Sequence, residues 1–215
     1  MYEENQRKRR MIILLIVLMI PILLFARNLM KGKQRSVAGI REPIQTEASG
    51  EEYTKVNGYD ISLAYKYAYD IEGLVVCTND YFGMCPEDKI SPRDVSLAWG
   101  KVAEQNVQVG FHWKASKRGL KNKVDSREKL ALVGSVEDVL RQCSNNHLIT
   151  LDPSVRKAVK RIKIGDHIRI KGYLVYVDGH HPSKKDFYWY SSTSRDDIGS
   201  TACEIILVKS VEWLD

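Results

Sequence analysis

The stretch YDISLAYKYAYDI at residues 59–71 carries the strongest pattern in the chain. Tyr, Ile or Leu occupies every second position from Tyr59 to Ile71 without a break. A period of two residues places these side chains on one face of a β-strand. The pattern therefore predicts a long strand with an apolar, tyrosine-rich face, which continues through residues 74–77 after a bend or bulge at Gly73.

Further strands and short helices are predicted downstream of this stretch. Alternating or apolar runs indicate strands at 107–113, 147–151, 168–177, 188–190 and 203–211. Capping residues and helical spacing indicate short helices that begin at Ser91, Ser135 and Asp152. The predicted fold class is α+β, mainly β, with a small β-barrel or sandwich-like globular domain over residues 55–215 that carries short helical insertions.

Upstream of the strand, residues 31–54 are polar and aperiodic, which is typical of a flexible linker. Before them, residues 11–26 read MIILLIVLMIPILLFA and carry no charge. This run predicts a single transmembrane helix over 11–30 in contact with the lipid bilayer, after a basic cytoplasmic tail at 1–10. A cleaved signal peptide and a buried core helix are the alternatives. The expected location is the inner membrane, with the C-terminal domain extracytoplasmic.

The charge distribution argues against nucleic acid as a partner. Residues 1–41 hold nine Lys/Arg and two Glu, whereas residues 42–215 hold 24 Lys/Arg and 25 Asp/Glu. The basic pI of about 9.0 therefore reflects the N-terminal end and not the globular domain.

Four cysteines allow two disulfides and three connectivities. Cys77 and Cys85 flank a loop-like stretch, and they are the first candidates for a bridge in an oxidising compartment. The alternative is that all four cysteines are buried as small apolar residues.

Two polar clusters are the candidate binding sites: an uncharged one at residues 144–147, and one at 191–197 that combines hydroxyl groups with one Arg and two carboxylates. Their candidate ligand-contacting residues are Asn146, His147, Ser192, Ser194, Arg195 and Asp197. Arg195 could hold an anionic ligand bidentately, although local turn capping would explain the same residues. The chain lacks the common nucleophile, zinc-protease and phosphate-loop motifs, so no catalytic residue, metal ligand or cofactor is predicted.

Two basic stretches predict a surface for an anionic lipid or polymer, or for an acidic protein face. The residues of this surface are Lys114, Lys117, Arg118, Lys121, Arg156, Lys157, Lys160 and Arg161. Nearby carboxylates would also fit an ordinary solvated surface.

The run Gly165–Val175 resembles strands of OB-like and SH3-like barrels, in which a turn feeds a strand that bends at a glycine. Residues 94–100, 144–149, 192–197 and 202–204 resemble an uncharacterised family of bacterial single-span envelope proteins. This resemblance implies a β-rich, OB-like domain in the cell envelope and implies no activity.

Three functions are consistent with these features. The first is a membrane-anchored, non-enzymatic accessory or assembly subunit that binds a protein partner in a membrane complex. The second is a membrane-tethered hydrolase or ligand-binding receptor that uses the clusters at 144–147 and 191–197. The third is an OB-like nucleic-acid binder with a cytoplasmic domain, which the charge of the globular domain disfavours.

Overall fold

Helix α1 (Tyr2–Met30) belongs to the first of two units into which the chain divides, residues 1–33 and 34–215. The computed structural model describes residues 2–30, 32–83, 85–194 and 203–214. Across these ranges, no helix combines the length and the apolar character needed to cross a membrane. The predicted single-pass anchor at 11–30 and the inner-membrane localisation are therefore wrong, and the fold-class prediction is wrong in this N-terminal part.

The physical reason lies in the length of the charge-free run. It has sixteen residues, bounded by Arg10 and Arg27. A helix of sixteen residues rises about 24 Å, and a bilayer has a hydrocarbon core of about 30 Å.

The second unit is mainly β. Its strands are β1 (Ile44–Glu47), β2 (Glu51–Val56), β3 (Tyr59–Asp80), β4 (Arg93–Ala98), β5 (Lys114–Ser116), β6 (Gly119–Lys121), β7 (Cys143–Ile149), β8 (His167–His180), β9 (Phe187–Tyr190) and β10 (Cys203–Trp213). Its helices are α2 (Pro86–Ile90), α3 (Gly100–Glu104), α4 (Asn106–Val109), α5 (Arg127–Leu130), α6 (Val136–Arg141) and α7 (Pro153–Arg161).

Five strands pair in a closed ring. β3 pairs with β4, β4 with β7, β7 with β10, β10 with β8, and β8 returns to β3. The β7–β10 pair is parallel and the others are antiparallel, while α7 connects the third ring strand, β7, to the fourth, β8. This connectivity is that of an OB fold. β1 and β2 add to β3, β9 adds to β8, and β5 and β6 form a separate hairpin.

The long strand predicted from residues 59–71 is confirmed as β3, but it serves two hydrophobic clusters. Tyr59, Ile61 and Leu63 belong to one cluster, and Tyr69 and Ile71 belong to the other. The pairing of β3 with β8 shifts register between Tyr65 and Tyr67. The strand therefore remains continuous while its apolar face passes from one cluster to the other at this bulge.

Several local predictions differ from the structure. The stretch 31–54, expected to be a flexible linker, contributes β1 and part of β2, because both strands find hydrogen-bonding partners along β3. The helix expected from Ser91 is strand β4, and the strand expected at 107–113 begins as α4. The helices at Ser135 and Asp152 are confirmed as α6, with a capping box, and α7, with Asp152 as N-cap.

Candidate functional site

The polar cluster at 144–147 lies on β7 between β4 and β10, and its residues divide between the two faces of the strand. Asn146 is fully buried, and its side-chain amide donates to the Val95 carbonyl at 2.9 Å. Leu148, on the same face as Asn146, belongs to the larger hydrophobic cluster. Asn145 and His147 occupy the opposite face, because side chains alternate along a strand.

Strand register places the partners of these two residues directly beside them. Asp94 on β4 is opposite His147, and Ser96 is opposite Asn145. On the other side, β10 places Cys203 beside Asn145. The Ser96 hydroxyl donates to Asn145 Oδ1 at 2.9 Å.

Asp94 is the centre of a buried polar network. His147 Nδ1 lies 2.8 Å from Asp94 Oδ1, and both side chains are only 3% exposed. Arg118 Nη1 donates to the same oxygen at 3.2 Å, and the Tyr81 hydroxyl donates to Asp94 Oδ2 at 2.8 Å. Burial, followed by the charge of Asp94, raises the pKa of the Tyr81 hydroxyl, which therefore remains a donor.

Arg118, predicted as part of a basic surface, belongs to the basic hairpin and is half-buried there. Its side chain is 24% exposed and also forms an ion pair with Asp88. Its guanidinium carbon lies 4.0 Å from the centre of the Tyr81 ring and 4.9 Å from that of Trp189. Ion pairs and cation–π contacts thus hold the hairpin β5–β6 over the face of β4 and β7.

The backbone of the hairpin is held at the same point. Asn145 Nδ2 donates to the Arg118 carbonyl at 3.1 Å, and Cys203 Sγ lies 3.8 Å from that oxygen. Asn145 and Cys203 therefore connect β7 and β10 to the hairpin.

A cavity of about 480 Å³ lies between the hairpin and the first residues of β7 and β10. Its lining includes three basic side chains, four hydroxyl or amide side chains and two cysteines. The residues that line it are Ser116, Lys117, Arg118, Gly119, Leu120, Lys121, Asn122, Leu140, Cys143, Ser144, Asn145 and Cys203. No carboxylate belongs to this set of described residues.

The cluster predicted at 191–197 is described only as far as Ser194; Arg195 and Asp197 lie outside the described residues. The Ser192 N–H donates to the Cys203 carbonyl at 3.0 Å, which brings this cluster beside the start of β10. Ser192 and Ser194 also bond to each other at 3.3 Å, as in a local turn. The two predicted clusters therefore approach each other through β10.

The remaining basic residues have separate positions. Lys114, Lys117 and Lys121 are exposed on the hairpin, whereas Arg156, Lys157, Lys160 and Arg161 are on α7. Arg156 bonds to Thr150 Oγ1 at 3.2 Å, and Arg161 lies over the Trp213 ring. The predicted basic surface thus consists of two patches, of which only the hairpin borders the cavity.

The cysteines are free thiols in the structure, and no bridge joins buried Cys77 to exposed Cys85. Burial raises the pKa of Cys143 to about 12, so this thiol stays protonated at neutral pH. Among the described residues, no group of three or more His, Cys, Asp and Glu could hold a metal ion.

The Asp94–His147 pair resembles an oriented general base. Within the described ranges, His147 Nε2 has no hydrogen-bond partner, so no hydroxyl or thiol there is paired with it as a nucleophile. The residues that the sequence did not single out for the site are Asp94 and Tyr81. A lone carboxylate in the apolar strand DVSLA was the signal for Asp94, because a buried charge requires partners.

Comparisons of the chain with protein-family models, with curated proteins and with solved structures return no match.

Proposed function

We propose that the OB-like unit binds a small anionic ligand in the cavity beside the hairpin β5–β6. The carrying observation is the composition of the lining: Lys117, Arg118 and Lys121 surround it, and no described lining residue is acidic. The hydroxyl group of Ser116 and the amide group of Asn122 supply neutral donors beside these charges. Such a set is suited to phosphate or carboxylate oxygens.

The two lysines provide the charge that is available to a ligand. Arg118 is already paired with Asp88 and Asp94, so its guanidinium is largely neutralised where it lies. Lys117 and Lys121 are exposed and have no ion pair among the described residues. We therefore propose that Arg118 positions the hairpin and that Lys117 and Lys121 attract the anion.

The position of the cavity in the fold supports the same proposal. OB folds bind their ligands on the face of the second and third strands. Here β4 and β7 are the second and third strands of the ring, and the hairpin is inserted between them in sequence. The buried network fixes the hairpin before any ligand binds, which lowers the ordering cost of binding.

Calorimetric titration with inorganic pyrophosphate tests the proposal. We expect binding that weakens with rising ionic strength. The double variant K117A/K121A should bind about tenfold more weakly, because two charge contacts are lost. Both side chains are exposed, so the fold should be retained.

The control is K114A/K123A, which removes the same charge from exposed positions near the cavity that do not line it. It should bind pyrophosphate almost as the native chain does. Equal weakening in the two double variants would mean that pyrophosphate responds only to overall charge, and the cavity would lose its proposed role.

A further inference from the structure

A second concave surface lies on a different part of the unit, where β2, β3, β8 and β9 form four adjacent strands. A groove of about 620 Å³ follows their outer face. Its lining residues are Tyr53, Thr54, Lys55, Asp60, Ile61, Ser62, Asp178, Gly179, His180, Asp186 and Tyr188. None of these residues lines the anion cavity.

Strand register shows how the groove is built. Tyr53 pairs with Ser62, Ser62 with Asp178, and Asp178 with Tyr188, so one cross-strand row has a tyrosine at each end and short polar side chains between. Three strand spacings separate the two tyrosines, about 14 Å. Tyr53 is 72% exposed and Tyr188 is 66% exposed, so both rings offer a free surface. The groove therefore has aromatic walls and a polar floor.

The next row supplies additional hydrogen-bonding groups. Lys55 pairs with Asp60, and Asp60 with His180. Hydrogen-bond donors and acceptors thus both lie along the floor of the groove, two residues along each strand from the tyrosine row.

The carboxylates of the groove already have partners. Lys55 Nζ lies 3.0 Å from Asp60, the Tyr190 hydroxyl donates to Asp178 at 2.8 Å, and His180 Nδ1 lies 3.0 Å from Asp186. A cationic ligand would have to compete with these partners, and an anion would meet three carboxylates. Each carboxylate still has lone pairs that can accept a hydrogen bond from a hydroxyl group.

We propose that this groove binds a neutral oligosaccharide. The apolar C–H faces of two sugar rings would lie against Tyr53 and Tyr188, which are flat and rigid. Ring hydroxyls would donate to Asp60 and Asp178 and accept from Lys55. The volume of the groove is within the range of about 300–1,000 Å³ that is typical of ligand sites. This proposal does not depend on the anion cavity.

Calorimetric titration with three neutral tetrasaccharides, chitotetraose, maltotetraose and cellotetraose, tests the proposal, with pentalysine as the cationic probe. We expect at least one tetrasaccharide to bind and pentalysine not to compete with it. The variant Y53A/Y188A should weaken that binding about tenfold or more, as loss of two stacking contacts predicts.

The control is F82A, which removes an aromatic side chain that is 91% exposed and does not line the groove. It should leave saccharide binding unchanged, and circular dichroism should show all variants folded. The proposal is overturned if none of the tetrasaccharides binds, if pentalysine binds in their place, or if Y53A/Y188A binds as the native chain does.

Discussion

At the scale of single residues, Asp94 organises the site. Its two oxygens accept hydrogen bonds from groups on three separate parts of the chain: Tyr81 in the loop after β3, Arg118 in the hairpin and His147 on β7. A buried carboxylate is tolerated only when such partners replace the water that it loses. The network therefore stabilises the hairpin at the place where the cavity forms.

Replacement of Asp94 by Ala should lower the free energy of unfolding by about 3–5 kcal/mol, because the charge of Arg118 and the polar groups of Tyr81 and His147 lose their common partner. Urea denaturation followed by tryptophan fluorescence measures this change. Asp125→Ala is the matched control: Asp125 is 50% exposed and its partners His112 and Lys129 are 60% and 45% exposed, so its loss should lower the free energy of unfolding far less. Similar losses for the two variants would contradict the role of Asp94 as the centre of the network.

The sequence identified part of this site. His147 was predicted as a candidate because polar residues are dense at 144–147, and the structure places it in the network. Asn146 was also predicted, but it lies on the opposite face and is satisfied by a backbone carbonyl. Arg118 was predicted to lie on a basic surface because its neighbours in the sequence are mostly basic. Its packing between Tyr81 and Trp189 depends on residues 37 positions before it and 71 after it.

At the scale of elements, long-range pairing overrode local signals. Ser91 and Pro92 are typical of a helix start, yet residues 93–98 form β4 between β3 and β7. Val95 and Leu97 face the larger cluster, whereas Asp94 and Ser96 face the polar network. Strand β4 is buried on both faces, and a local helix signal cannot reveal that environment. The helices α6 and α7 were predicted correctly because their caps are local.

The pairing of β3 with β8 includes an ion pair that predicts a pH dependence. Arg169 Nε and Nη2 each donate to Asp70 at 2.6 Å. This hydrogen bonding lowers the pKa of Asp70 below its ordinary value. The pair therefore contributes stability above the unfolded-state pKa of about 3.9, and that stability is lost as the pH falls through the lower folded-state pKa.

In the variant Asp70→Asn, the free energy of unfolding should decrease less steeply as the solution is acidified. Its dependence on pH outside the acidic range should change little. Because the pair is partly exposed, the contribution at neutral pH is about 1 kcal/mol or less. Urea unfolding at a series of pH values from neutral to strongly acidic measures it. Arg169→Met should weaken the same acid-dependent decrease in the free energy of unfolding. If both variants keep the native decrease at acidic pH, the ion pair makes no contribution.

At the scale of the whole molecule, two very long strands determine the arrangement of the second unit. β3 has 22 residues and β8 has 14, and their pairing runs from Asp60 to Leu74. One part of this pair closes the five-stranded ring, and the other part carries β2 and β9. The ring and the hairpin β5–β6 together form the anion cavity, whose lysines lie on the hairpin, and the four-strand part forms the tyrosine-walled groove.

The mainly β character could be predicted from sequence, because period-two alternation reports directly on strands. The connectivity of the ring could not, since the parallel contact between β7 and β10 joins residues about 58 positions apart and leaves no local trace. The predicted anchor rested on an apolar run that falls short of a membrane span. The accessory-subunit role, its protein partner and the resemblance to envelope proteins stay predictions.

The central claim is that an anion binds beside the hairpin β5–β6, and amide chemical-shift mapping by NMR during a pyrophosphate titration tests it most directly. The account predicts that the largest shifts occur at residues 116–122 and 143–145, with saturation at one site. Shifts centred on the basic side of α7, around Lys157 and Lys160, or no saturable shifts at all, would contradict it.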